Sequence, residues 1–164
     1  MIMTLKKTFA IMAFAVCAMP AMAQNTKAEQ VVKTLQSANE YFMKKYTDPT
    51  KPTFVKRLRP SSLWTRGVYF EGLMALNEIA PDKRYTEYTD TWASFHKWTP
   101  RNGTTTTHAD DQCCTQTYLL RYEQVGGDEK KKYVIENFDK QMASGRVDYW
   151  TWIDAIQMAM PAYA

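Results

Sequence analysis

Asp154 is the only carboxylate in the segment Tyr149-Trp150-Thr151-Trp152-Ile153-Asp154-Ala155-Ile156-Gln157-Met158-Ala159-Met160-Pro161. Its neighbours are tryptophans and apolar residues. A carboxyl in such surroundings holds its proton nearer to neutral pH, because removal from water disfavours the charged form. That suits a general acid. Aromatic side chains also form the walls of sugar-binding clefts, so Trp150 and Trp152 point toward carbohydrate. Two further groups have the same character. His108-Ala109-Asp110-Asp111-Gln112 sets two carboxylates at a helix start, and Trp64-Thr65-Arg66 sets an aromatic beside a cation. Each residue also has an ordinary use. Asp154, Asp110 and Asp111 could be helix-start acids. Trp64 could be core, Arg66 could pair with an acid, and His108 could be a loop histidine. Spacing alone does not choose between these uses.

The elements that must position these groups read as helices throughout. Thr26-Lys27-Ala28-Glu29 is a capping box, followed by Val31, Leu35, Ala38, Phe42 and Tyr46 at helical spacing. Asp48-Pro49 ends that helix, and Pro52 and Pro60 mark a long loop. A second helix is expected from about Thr65 to Ile79, apolar nearly all round and therefore buried on most sides. Gly67 and Gly72 weaken it, which close approach of a neighbour would offset. A third runs from about Lys83 to Trp98, with Tyr85, Tyr88, Trp92 and Phe95 on one stripe. A fourth runs from about Ala109 to Val125 and stops at Gly126-Gly127. A fifth starts at Asp128 and ends near Gly145, and a sixth starts near Trp152. The one β-branched run, Thr104 to Thr107, falls in a loop.

The odd helices are amphipathic and charged; the even ones are poorer in charge and richer in small and apolar residues. This alternation is that of outer and inner helices in stacked hairpins, of which three are visible. The polar residues of the even helices gather at their N-terminal ends. If those helices line a toroid in parallel, the Trp64, His108 and Trp150–Asp154 groups converge on one mouth. Exposed helix N–H groups there favour an anionic ligand.

Composition narrows the class. Residues 1–23 have a basic start at Lys6-Lys7, an apolar run from Thr8 to Met19 and a small-x-small site at Ala21-Met22-Ala23. They read as a signal peptide, which makes the protein exported and periplasmic. The run is too short to span a bilayer. Phe14-Ala15-Val16-Cys17 is a poor lipobox, so a lipid anchor is the lesser expectation. Without the two leader lysines the formal net charge of +4 falls to about +2, too little to argue for nucleic acid or an anionic membrane. The three cysteines reduce to Cys113 and Cys114, which lack zinc spacing and read as small buried residues.

The segment Trp152 to Pro161 resembles the Trp-x-Asp-Ala-x-x-Met-Ala-x-Pro segment of the unsaturated rhamnogalacturonyl and glucuronyl hydrolases, glycoside hydrolase family 105, with family 88 as a relative. Tyr122-Glu123-Gln124-Val125-Gly126-Gly127-Asp128-Glu129-Lys130 is similar to that family's turn between an inner and the next outer helix, a turn other helical toroids share. The resemblance covers Trp64 to Met160. It implies an all-α, six-hairpin (α/α)6 toroid, of which this chain would be about half. It further implies hydrolysis of 4,5-unsaturated uronic acid from lyase-generated oligosaccharides, as in pectin degradation, with no metal or cofactor needed. Asp154 matches the family's general acid/base. Asp110 matches the second aspartate best and Asp111 competes, because Thr115 stands where the family often has glycine. Trp64, Arg66, His108, Asp111, Trp150 and Trp152 would contact substrate.

Two other readings compete. One is a non-catalytic helical-repeat module that binds sugar; the other is a different (α/α)6 sugar enzyme, such as a lyase or mannosidase. The apolar run to Ala164 has no stop signal and lacks the polar capping helix of a repeat module. It gives the expectation of an N-terminal part of a larger domain, inactive alone. The leaving sugar and the oligomeric state stay open.

Overall fold

A computed structural model describes residues 27–164. The expected leader, Cys17 and the capping-box residue Thr26 lie outside the described residues. The chain divides into two units, Met1–Phe42 and Met43–Ala164. In the first, residues 27–42 are helical and belong to α1, residues 27–45, which ends ahead of Asp48-Pro49 as the sequence predicts.

The second unit holds the rest. After α1 come β1 (Thr53–Val55), β2 (Arg57–Arg59), α2 (Trp64–Ile79), α3 (Lys83–Phe95), α4 (Ala109–Gln112), α5 (Cys114–Val125), α6 (Glu129–Ala143) and α7 (Asp154–Ala159). A 3-10 turn, Met160–Tyr163, ends the chain, with Pro161 in its first turn. The helices alternate as predicted. α2 packs on α5, α3 covers α2, and α6 covers α5. The inner pair carries the fully buried Phe70, Met74, Cys114 and Tyr118, and the outer helices contribute Tyr85, Trp92 and Val134.

Capping and turn chemistry explain most boundaries. The Asp82 side chain accepts from Arg84 N at 2.8 Å and starts α3. Gly126 and Gly127, at φ 70° and 96°, stop α5 in a conformation that side chains rarely adopt. Arg121 on α5 holds Asp90 on α3 with two parallel bonds, Nε to Oδ1 at 2.8 Å and Nη2 to Oδ2 at 2.7 Å.

Four details differ from the sequence reading. A two-stranded antiparallel hairpin stands inside the loop between Pro52 and Pro60, with Thr53 opposite Arg59 and Phe54 opposite Leu58. The fourth helix is interrupted at Cys113, because the Thr115 hydroxyl bonds back to Gln112 O at 2.6 Å and competes with the helix ladder. Phe95 leaves its stripe and is exposed, since α3 ends there. Gly67 has the expected close neighbour, for a Cβ would lie 3.0 Å from Cys113 Sγ; Gly72 has open space around it.

Cys113 and Cys114 are both buried and free. Burial pushes their thiols up, to about 12 and about 11. The thiolate is the reactive form, so both should resist alkylation at pH 8 in the folded chain and react only on unfolding. Mass spectrometry after a pulse of iodoacetamide checks this; rapid native labelling would contradict the packing.

Candidate active site

α2, α4 and α7 meet near their starts. Ala109 and Cys113 pack on Ala155, Met158 and Ala159, and this small-residue contact is flanked by Trp64, Trp150 and Trp152. Small side chains let the helix starts approach closely. Cys113 Sγ contacts Trp64 O at 3.8 Å. Gln116 on α5 donates to the carbonyls of Gln157 and Met158 at 2.8 and 3.0 Å, which fixes α7 against the inner helix. Gln157 in turn reaches Glu71 on α2.

His108 caps α4. Its Nδ1 accepts from Asp110 N at 3.3 Å, which leaves Nε2 as the protonated nitrogen of the neutral ring. The ring lies against Trp152, with centroids 4.9 Å apart at 39°. Asp110 Oδ1 stands 3.9 Å from the same Nδ1, and its side chain is partly exposed. Trp150 turns its edge toward Tyr163 at 6.2 Å.

The adjacent acids have different environments. Asp111 is buried and accepts three bonds from the loop ahead of α4: Arg101 Nη1 at 2.5 Å, Asn102 Nδ2 at 2.8 Å and Thr106 Oγ1 at 2.8 Å. Arg101 N also donates to Asp111 O at 3.0 Å. Asn137, buried on α6, donates to Thr104 O and Thr106 O and accepts from Gln112 at 2.9 Å. The loop bearing His108 is thus held by polar ties on both sides. These ties were not visible in the sequence, because their members lie up to 33 residues apart.

Asp154 occupies the first position of α7, with Ile153 ahead of it. The sequence predicts an apolar enclosure; the side chain is instead exposed, because Trp152 turns to His108 and Trp150 to Tyr163. It makes no hydrogen bond or ion pair among the described residues. Arg66, also placed at the mouth by the sequence reading, is buried against a different set. Its Nη2 donates to Thr53 Oγ1 at 2.6 Å and its guanidinium lies 4.5 Å from the Tyr46 ring. Trp64, His108, Asp110, Trp150, Trp152 and Asp154 are therefore brought to one region, with Asp111 beneath it and Arg66 to the side. Among the described residues no group of three His, Cys, Asp or Glu is placed to hold a metal ion. No described helix is long and apolar enough to cross a membrane.

The family model for glycosyl hydrolase family 88 matches residues 34–164. The chain belongs to that family. Of the two related families named by the sequence motifs, it is family 88 whose model spans the chain. The structure is similar to a glycosyl hydrolase family 88 protein from Bacteroides vulgatus, at 25 % identity and a TM-score of 0.69. It is also similar in fold to a chain named as a polysaccharide lyase, at 24 % identity and a TM-score of 0.70. Each match covers 81 % of this chain and 39 % of the other. No curated protein matches. The helical hairpins are thus of the all-α (α/α)6 toroid class, and the chain spans about 39 % of the length of each solved relative it matches.

Proposed function

We propose that the protein containing this family-88 chain releases 4,5-unsaturated uronic acid from lyase-generated oligosaccharides, such as those of pectin. One observation carries this reading: Asp154 and Asp110, two carboxylates left unburied, stand at helix starts that pack on each other beside tryptophans. Asp154 gives its proton to C4 of the vinyl ether double bond. The carboxylate so formed takes a proton from water as the water oxygen bonds to C5, and the resulting hemiketal opens and releases the leaving sugar. An ordinary glycosidase needs two carboxylates across the scissile bond; here one performs both transfers, and Asp110 orients ring hydroxyls. A ring seated between Trp152 and Asp154 supplies the exclusion of water that the exposed carboxyl lacks by itself. Trp64, His108 and Trp150 complete the wall. The leader motif supports an exported, periplasmic setting for this substrate.

The solved relatives are longer than this chain, so the activity is assigned to the protein with all its hairpins. The assay follows loss of the conjugated double-bond absorbance of an unsaturated disaccharide. The adjacent acids should separate. Asp110→Asn is expected to lower turnover with little change in melting temperature. Asp111→Asn is expected to cost about 1–3 kcal/mol of stability, since it weakens a buried hydrogen-bonded cluster. Binding without any turnover would return the protein to the sugar-binding reading, and a reversed order would make Asp111 the positioning acid.

A further inference from the structure

The segment from Pro49 to Phe70 carries Lys51, Lys56, Arg57, Arg59 and Arg66, with no carboxylate between Asp48 and Glu71. The β1–β2 hairpin organises this charge. Its register sets Thr53, Val55, Arg57 and Arg59 on one face and Phe54 with Leu58 on the other. Arg59 pairs with Thr53, and the Thr53 hydroxyl receives Arg66 Nη2 at 2.6 Å. The arginine face is thereby fastened to the first turn of α2, whose opening residue is Trp64 at the mouth.

Arg57 and Arg59 make no ion pair among the described residues, and the Arg59 Nε–H is buried without an acceptor. Guanidinium groups bind carboxylates in a planar, two-bond geometry, and a buried donor without a partner is costly. A rim of this kind matches an anion. The opposite face adds Phe54 and Leu58, 74 % and 66 % exposed, which could not stand for core packing. The hairpin immediately precedes the helix whose opening residue, Trp64, flanks the α4–α7 contact.

We propose that the Arg57/Arg59 face of the hairpin is a subsite for the carboxylate of a second uronic acid, on the leaving side of the sugar that is removed. This deepens the functional reading above and rests on it for the direction of the oligosaccharide. The preferred substrates are then acidic beyond their first residue, and binding weakens as salt screens the contact.

The test uses saturated trigalacturonate, which has no double bond and is bound without reaction. Calorimetry on the complete protein compares the wild type with the Arg57→Gln/Arg59→Gln and Arg57→Lys/Arg59→Lys pairs at two salt concentrations. The glutamine pair is expected to lose about tenfold in affinity and most of its salt dependence, as loss of charge-assisted bonds requires. The lysine pair keeps the salt dependence and loses less affinity. Turnover of an unsaturated disaccharide with a neutral leaving sugar stays within about twofold of wild type. Unchanged trigalacturonate affinity in the glutamine pair overturns the subsite, and so does an equal loss on the neutral disaccharide. Arginine-dependent binding in a protein that turns over no unsaturated uronide would instead overturn the hydrolase reading and leave the anion subsite standing.

Discussion

Replacing Asp154 by Asn is expected to lower turnover of unsaturated uronides by at least about 100-fold, the range typical for removal of a general acid/base. Asparagine keeps the size and the hydrogen-bonding edge but has no proton to give to C4. The side chain is exposed at the start of α7 and makes no bond to the rest of the described structure, so the fold has nothing to lose by the change. Substrate affinity and melting temperature should therefore stay near wild type while turnover collapses. That split separates chemistry from stability, which a buried aspartate could not do. Near wild-type turnover in Asp154→Asn would remove the residue from the mechanism.

The largest effect on stability should come from Trp92→Ala, at about 3–5 kcal/mol. Trp92 is fully buried and stacks on Phe70 with centroids 4.0 Å apart at 16°. Its Nε1 donates to Ser61 O at 2.8 Å. The Ser61 hydroxyl gives its proton to Thr50 O and meets His96 Nε2, also at 2.8 Å, which makes His96 Nε2–H the donor in that contact. Loss of the indole thus opens a cavity between α2 and α3 and frees the loop that leads into α2. Denaturant unfolding should show the loss, together with a melting temperature lower by roughly 10 °C. Trp92→Phe, which keeps the stacking but not the N–H, should cost much less. Equal effects would mean that the bond to Ser61 and not the packing holds the loop.

How far the sequence spoke depends on the kind of signal. The stripe of Tyr85, Tyr88 and Trp92 repeats at helical spacing, and periodicity survives folding because it is local. The alternation of charged and apolar helices likewise predicted which would be inner. The β1–β2 hairpin was missed because strands of three residues are too short for alternation to register, and flanking prolines read as loop. The site divides in the same way. Trp64, His108 and the Trp150–Asp154 stretch were visible as helix-start groups. That Asp111 faces inward while Asp110 does not was invisible, because neighbours on a helix differ in direction only relative to what surrounds them. The partners Arg101, Asn102, Thr106 and Asn137 are distant in sequence and carry no motif. His96 carries no such signal either: its partner Ser61 lies 35 positions away, and burial lowers the imidazole's affinity for a proton.

The contact between Gly67 and Cys113 also limits how this mouth could change over time. A methyl group at position 67 would press on a sulfur 3.0 Å away and on the backbone of Cys114 at 3.2 Å. Ala109, Ala155 and Ala159, all fully buried, pack together on the other side. The spacing of the helix starts is therefore fixed by atoms too small to trim and too crowded to enlarge. Change at the helix starts is thereby closed, and variation is left to the segments that hang from them. Foremost is the strand pair ahead of Trp64, where Phe54 and Leu58 are exposed and can be exchanged without moving a helix; the stretch from Trp98 to Thr107 is tied instead by the buried Trp98 and by the bonds of Arg101, Asn102 and Thr106 to Asp111.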